Sequence, residues 1–432
     1  MTEPGRISWL PTPALSTAAG AIALLCLLAV ALSRPDLLLL ALPLIVGTVL
    51  PLLSRTYRLP ALRLRAGAST LLEGESTVLV QELSAAEAID VLRLTVAVEG
   101  WLELPGGFAD VCTSTRAGQE LELTHRLAST RWGRGWISGV SMTATTAHGL
   151  LRADTAYPQQ IAIRTIPFRE GFNATELVPN ASGIVGGHRS RRTGEGVDVA
   201  GVRPFAAGDR LHRINWAVST RTRQLHVTAT YSDRDTEVVL VLDTSVEVGY
   251  SSGVRGSSSN IDTAVRAAAS IAEHYLRHGD RVGLLDLARA GRPIRSRTGR
   301  AQLDRLIDVL LEVRGSPSRY QSVDRALARI SNRALVIVLS PLLSDELAGA
   351  VAELTRTGRS VVLVDTLPEE VLLPEQGRWT ELAWRIQMLH RQNLSGALAE
   401  HGVPVVPWLG SGSLDEVLIG LSRAATAPRV RR

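Results

Sequence analysis

Thr236-Glu237-Val238-Val239-Leu240-Val241-Leu242-Asp243 is a continuous apolar run that ends on an acid. A strand with one wet face alternates apolar and polar residues, whereas a parallel strand covered on both faces stays apolar along its length. The run therefore predicts a buried strand of a parallel sheet. Downstream the pattern alternates between periods. It predicts helices over Asp262–His278, Arg300–Val313, Leu347–Thr357 and Thr380–His401, with strands over Arg281–Ala288, Ala334–Ser340, Ser360–Asp365 and Val403–Trp408 between them. Repeated strand–helix units predict a doubly wound α/β sheet across residues 236–432. Functional groups in such a sheet gather at the carboxyl ends of its strands.

Asp243-Thr244-Ser245-Val246-Glu247 stands at one of those ends. Hard cations favour oxygen ligands, which Asp243, Ser245 and Glu247 can supply, so Mg²⁺ or another divalent cation is the candidate cofactor. The other reading is that Asp243 caps a helix or closes a turn. Thr298 is a further contributor without a place. His274 and His278 share a helical face at a spacing that can bind zinc, yet no Glu completes a His-Glu-x-x-His pattern and no third ligand is apparent. No Ser/His/Asp or Cys/His set is marked by its context, so no catalytic residue is assigned.

Upstream lies Arg203-Pro204-Phe205-Ala206-Ala207-Gly208-Asp209-Arg210-Leu211-His212-Arg213-Ile214-Asn215-Trp216, followed by Arg221 and Arg223. Pro204 biases Arg203 toward an extended conformation. Gly208 allows a tight turn, Asp209 can cap a short helix starting at Arg210, and Arg213 falls four residues after Asp209 on the same face. Five arginines face a single acid here. Alone they suggest an anion or nucleic-acid patch; between two domains, with Trp216 available to pack, they suggest a fixed junction.

The order Gly194-x-x-x-Asp198, then Arg203-x-Phe205-x-x-Gly208-Asp209-x-x-x-Arg213-x-Asn215-Trp216-x-x-Ser219-x-Arg221, resembles the bacterial family called domain of unknown function fifty-eight. Arg134-Gly135-Trp136-Ile137 upstream and Val238–Asp243 downstream extend the resemblance. Within it, Asp243-Thr244-Ser245 resembles the Asp-x-Ser-x-Ser opening of von Willebrand factor A domains, whose adhesion site binds a divalent cation. Glu247 stands in place of the second serine. No Thr-Asp-Gly-like element follows the later strand, where Ser340-Pro341-Leu342-Leu343-Ser344-Asp345 occurs. The resemblance implies a von Willebrand factor A-like C-terminal domain and association with MoxR-type AAA+ ATPases.

Residues 61–167 carry short β-prone stretches such as Ser76–Gln81, Val91–Val98, Glu120–Leu127 and Trp136–Thr143, several alternating apolar with polar. They predict a small antiparallel β-sandwich. Arg131-Trp132-Gly133-Arg134-Gly135-Trp136 reads as a turn and strand with packed tryptophans, with ligand stacking as the alternative. Residues 168–235 form the linker and arginine-rich segment. Gly186-Gly187-His188-Arg189-Ser190-Arg191-Arg192 within it is either a solvated loop or a basic arm.

Residues 1–60 contain two uncharged runs, Leu15–Leu32 and Leu37–Leu53, separated by Ser33-Arg34-Pro35-Asp36. Each is long enough to cross the hydrocarbon core of a bilayer, and Pro43 and Gly47 are tolerated in such helices. A signal peptide would explain only the first run, and a buried hairpin is the remaining alternative. Two adjacent runs favour a transmembrane hairpin. Arg55, Arg58, Arg63 and Arg65 follow the second run, which puts the soluble portion in the cytoplasm at the inner membrane by the positive-inside bias.

At 432 residues the chain has room for two or three domains. Its net charge is +5, and all 47 of its Lys+Arg positions are arginine. Cys26 and Cys112 make no disulfide framework. The leading expectation is a membrane-anchored, non-catalytic interaction or adaptor protein with no nucleic-acid partner, working with the ATPase in protein-complex assembly or maturation. The alternatives are a metal-assisted hydrolase using the Asp243 site, and a binder of anionic lipid or nucleic acid through the arginine-rich segment.

Overall fold

The computed structural model describes residues 8–53, 58–105, 110–168, 193–206, 214–231, 237–288, 293–315, 323–371, 377–409 and 413. The chain divides into two compact units, Met1–Phe168 with Gly253–Arg255, and Arg169–Ser252 with Gly256–Arg432.

The first unit opens with β1 (Leu10–Pro11) and two apolar helices, α1 (Pro13–Ala31) and α2 (Asp36–Leu53). Both are long and apolar enough to cross a membrane, and they pack on each other while Leu27, Val30, Leu39, Leu40 and Leu53 stay exposed. A soluble helix hides such a surface. Pro43 and Pro51 lie inside α2. Near them the Thr48 hydroxyl donates back to the Leu44 carbonyl at 2.9 Å, one way such helices satisfy their backbone.

Ten strands follow: β2 (Ala61–Ala66), β3 (Thr70–Leu72), β4 (Ser76–Ala85), β5 (Ile89–Glu99), β6 (Leu102–Glu103), β7 (Asp110–Thr115), β8 (Gln119–Ser129), β9 (Gly133–Thr146), β10 (Leu151–Tyr157) and β11 (Ile161–Ile166). One sheet runs β2-β4-β8-β6. The other runs β1-β10-β9-β11-β3, with β5 also paired to β9 and β7 to β5. Side chains alternate across a strand, so Leu79 and Leu83 of β4, Leu92 and Leu94 of β5, and Val140 and Met142 of β9 meet in one core. These are the two layers of a sandwich. All ladders are antiparallel except β11–β3, which is parallel. Gly139 (φ +134°) sits at a register shift in the β5–β9 ladder, where a Cβ would lie 2.4 Å from the Tyr157 carbonyl oxygen. Tyr157 itself donates to the Pro60 carbonyl at 2.6 Å, and burial pushes its phenol up to about 12, so it remains a donor.

In the second unit, β12 (Thr193–Pro204) and β13 (His226–Tyr231) form an antiparallel ribbon, with the short helix α3 (Trp216–Thr222) between them in sequence. The remaining elements are β14 (Glu237–Leu242), α4 (Asn260–Arg277), β15 (Arg281–Asp286), β16 (Ile294–Arg297), α5 (Arg300–Leu310), α6 (Val323–Ala328), β17 (Leu335–Ser340), α7 (Asp345–Arg356), β18 (Ser360–Asp365), α8 (Arg378–Glu400) and β19 (Val405–Pro407). The sheet order is β16-β15-β14-β17-β18-β19, all parallel except the edge strand β16. Val241, Val336, Val338 and Leu363 share a core with α6, α7 and α8. Leu240, Leu242, Ile337 and Leu339 alternate with them and are just as buried, while α4 packs on β14, β15 and β17. Both faces are covered, which is why β14 after Glu237 and β17 up to Ser340 are unbroken apolar runs.

α4 starts at a capping box. The Ser259 hydroxyl accepts from the Asp262 amide, and the Asp262 carboxylate accepts from the Ser259 amide. This fixes where the long β14–α4 connection ends and the helix begins.

Candidate functional site

In this sheet the chain leaves β14 toward β15 on one side, and β17 lies on the other. Connectivity reverses between β14 and β17, and their carboxyl ends flank the crevice where open α/β sheets bind ligands. Asp243 directly follows β14, and Ser340 ends β17. Asp243 is 2% exposed. Its Oδ1 accepts from the Ser245 hydroxyl at 2.6 Å and from the Ser245 amide at 3.3 Å; its Oδ2 accepts from the Ser340 hydroxyl at 2.7 Å. The Asp243 amide donates to the Leu339 carbonyl, which clamps the strand end. Burying a carboxylate is costly unless donors meet it, and two serine hydroxyls and an amide do so here.

Two further acids close neighbouring strands. Asp286 ends β15 and accepts from the Thr244 hydroxyl at 2.6 Å. Asp365 ends β18, accepts from the Leu367 amide at 3.0 Å and is paired to Arg391 of α8, whose Nε donates to the Pro341 carbonyl at 2.9 Å. Arg391 therefore ties β18 to the turn after β17. The carboxyl edge carries Asp286, Asp243, Ser340 and Asp365 on four successive strands.

Glu247 is exposed in the connection after Ser245. Asp243, Ser245 and Ser340 form an oxygen-only set of one carboxylate and two hydroxyls, chemically suited to a hard cation. Among the described residues no group of three or more His, Cys, Asp or Glu side chains is placed to hold a metal ion. Thr298 follows β16, whose Arg297 pairs with Val282 and whose Ile294 pairs with Leu284, so Thr298 belongs to the opposite, amino end of the sheet. It is not part of the Asp243 cluster.

Sequence reasoning passed over Ser340, Asp286 and Asp365 as contributors. The signal was available for the two acids, since each ends an apolar run. Ser340 is 97 positions from Asp243 and becomes its neighbour only once the strand order is known.

Of the arginine-rich segment, Gly208, Asp209, Arg210 and Arg213 lie outside the described residues, as does the Gly186–Arg192 arm, so the proposed Asp209 cap and the Asp209–Arg213 pair do as well. The described helix of this segment, α3, begins at Trp216. Asn215 caps it, its side-chain oxygen accepting from the Val218 amide at 3.2 Å. The Asn215 amide donates to the His226 carbonyl, and the Ser219 hydroxyl accepts from the His226 amide at 2.9 Å, so α3 is stapled to β13. Arg203 pairs in register with Val227 and donates to the Pro204 carbonyl at 3.1 Å. Arg221 is exposed. Trp216 differs from expectation: it is 64% exposed, because α3 spends its buried face on Ser219 and leaves its first residue pointing outward.

His274 and His278 do share a face of α4, with ring centroids 4.4 Å apart. His278 Nδ1 lies 2.7 Å from the His274 carbonyl oxygen, a helix-end hydrogen bond, and burial together with His278 lowers His274 to about 4. Trp132 is buried with Arg131 over its ring at 4.7 Å, and Arg131 also covers Trp101 at 4.9 Å, whereas Trp136 is exposed.

The geometry thus defines a doubly wound α/β unit with a buried acid at its switch point, in a chain that also carries a β-sandwich and two apolar helices. Residues 201–383 match the family described as "Protein of unknown function DUF58". Uncharacterized proteins of Mycobacterium bovis and Mycobacterium tuberculosis are 25% identical over 199 residues, which is 44% of this chain and 62% of theirs. The matched stretch therefore spans less than two thirds of those relatives. Among solved structures, the CARDB domain of a Pyrococcus furiosus protein has a TM-score of 0.18 at 11% identity, covering 26% of this chain and 93% of that one. Trypsin-activated alpha-2-macroglobulin of Escherichia coli has a TM-score of 0.20 at 15% identity, covering 36% of this chain and 9% of that one. Likeness at these scores carries no argument.

Proposed function

We propose that this chain is a membrane-anchored, non-catalytic interaction or adaptor protein whose second unit is a von Willebrand factor A-like domain. The observation that supports this most is the Asp243–Ser245–Ser340 cluster at the switch point, an oxygen-donor set brought together from two adjacent strand ends. The strand order with a single antiparallel edge agrees with it. In this reading Asp243 and the two hydroxyls hold Mg²⁺ or another divalent cation, and the partner completes the coordination with a carboxylate of its own. The two apolar helices form the anchor, and the arginines after α2 keep both units on the cytoplasmic side. The partner is a MoxR-type AAA+ ATPase, in keeping with the family resemblance, and the complex serves assembly or maturation of another protein.

Pull-down of the detergent-solubilised chain with and without Mg²⁺ tests the proposal, with an Asp243→Ala variant beside it. Recovery of an AAA+ ATPase that depends on Mg²⁺ and on Asp243 is the expected result. Failure to recover an ATPase under either condition would sink it.

A further inference from the structure

α8 has two apolar faces, and its own domain uses one of them. Leu394 and Leu398 join the core, Arg391 pairs with Asp365, and Gln387 reaches the Leu343 carbonyl. On the other side Trp379, Leu382, Ile386 and Leu389 are 77%, 49%, 59% and 57% exposed. Their spacing is three, four, three, and Asn393 continues it by four. That is the a/d repeat of a seam between two helices, narrower than the broad apolar face a helix turns toward a bilayer. At about 100° per residue, Arg378 and Arg385 fall together along one border of the stripe. Both are exposed, and no described acid forms an ion pair with either. The other border carries Ala383 and His390, the latter bonded to Asp345.

Charge chooses among occupants. A second copy of α8 would bring more arginine to a border whose one carboxylate is Glu381, and neither helix has a row of carboxylates flanking the seam to answer it. We infer that the exposed face of α8 is the docking seam for an acidic amphipathic helix of a partner protein, with apolar a and d positions and Glu or Asp along the border that meets Arg378 and Arg385. Ile386 sits at the centre of the seam, and Trp379 anchors one end. Asn393, at a seam position, would fix register by asking for a polar residue opposite. The inference rests on the interaction-protein reading but not on which partner is involved.

The probe is a labelled synthetic heptad helix with a Leu/Ile seam and Glu borders, together with a twin carrying Lys borders. Both are titrated by fluorescence anisotropy against the full-length chain in neutral-lipid nanodiscs. The Glu peptide should bind at least about tenfold more tightly than the Lys twin, and Ile386→Asp should weaken it by about tenfold or more. The double variant Arg378→Glu/Arg385→Glu should reverse the preference, which a merely structural helix would not do. Unchanged hydrogen exchange across α8 checks that the variants stay folded. Equal or absent binding of the two peptides overturns the inference. So does self-association abolished by Ile386→Asp, which assigns the face to a second copy. Burial of Trp379 only in anionic nanodiscs also overturns it and assigns the face to lipid. An ATPase recovered equally by wild type and Ile386→Asp, with no peptide binding, would defeat the seam and leave the adaptor reading standing. Peptide binding with no ATPase recovered would do the reverse.

Discussion

The sandwich and the parallel sheet both bury polar side chains, but they treat them differently. In the sandwich core Gln81 is fully buried with neither amide atom hydrogen bonded, and His125 is 6% exposed with its Nε2 unbonded. At the carboxyl edge of the sheet Asp243, Thr244, Ser245 and Ser340 are just as hidden, yet each hydroxyl meets a carboxylate, Asp243 or the half-buried Asp286, at 2.6–2.7 Å. An unmade hydrogen bond in an apolar interior costs more than a made one returns. Burial of Gln81 and His125 is therefore a net cost to that unit, while its Ser129 and Thr165 hydroxyls meet at 2.7 Å. At the sheet's edge the buried hydroxyls each find a carboxylate at a strand end, so removing a carboxylate there leaves them without an acceptor.

Substitutions that remove the polar group should separate the two regions by sign. The largest effect belongs to Asp243→Ala, which leaves two serine hydroxyls buried without their acceptor and should destabilise the second unit by about 2–4 kcal/mol. Hydrogen exchange in β14 and β17 should rise while β4 and β8 stay unchanged; protection retained in β14 would break the comparison. In the sandwich, Gln81→Met keeps a similar volume and removes both unsatisfied atoms. It should stabilise that unit by about 1 kcal/mol, visible as slower exchange in β4 and β8. Destabilisation there instead would mean that Gln81 is satisfied in solution. Asn215→Ala removes the α3 cap and should cost about 1 kcal/mol, confined to exchange in α3 and β13.

The smallest effect is on pH dependence. Burial lowers the pKa of His125, and burial with His278 lowers His274 to about 4. Each is therefore neutral in the fold and takes up a proton more readily once unfolded. Their contribution is fully present above the unfolded value of about 6.5 and is lost as pH falls below it, for His274 across the window down to about 4. A melting temperature that falls on acidification, with a shallower fall in His125→Leu, is expected. A His125→Leu profile that overlays the wild type would remove His125 from this account.

Much of the fold was legible because burial on two faces writes itself as an unbroken apolar run. β14 was expected over Thr236–Asp243 and occupies Glu237–Leu242; β18 occupies Ser360–Asp365 as its pattern indicated. The apolar helices fall at Pro13–Ala31 and Asp36–Leu53, within two residues at each end of the uncharged runs. The candidate site was legible only in part. Asp243 and Ser245 are adjacent in sequence, so their pairing could be anticipated, but the Ser340 hydroxyl arrives from a strand whose position depends on long-range order. The Asn215 cap of α3 was not singled out, because by residue type Asn215 looks like any other polar position there, and its contact with His226 appears only in the fold. The exposure of Trp216 was missed for a related reason: aromatic residues are usually buried, and nothing local shows that α3 turns its first residue away.

One small contact has a mechanical consequence. Thr12 donates from its hydroxyl to the Gly149 carbonyl at 2.7 Å and from its amide to the Leu150 carbonyl at 3.0 Å, just before α1 begins, and Leu10 and Pro11 pair with β10. Leu15 and Leu52 also rest against the cluster of Ala147, Leu150 and Leu151. At its amino end the apolar hairpin is thus joined to the sandwich by a stiff mount. One residue inserted between Thr12 and Pro13 would rotate the mount by about 100° around the α1 axis and advance it about 1.5 Å, so the heading of the whole sandwich is set by the length of a two-residue strand.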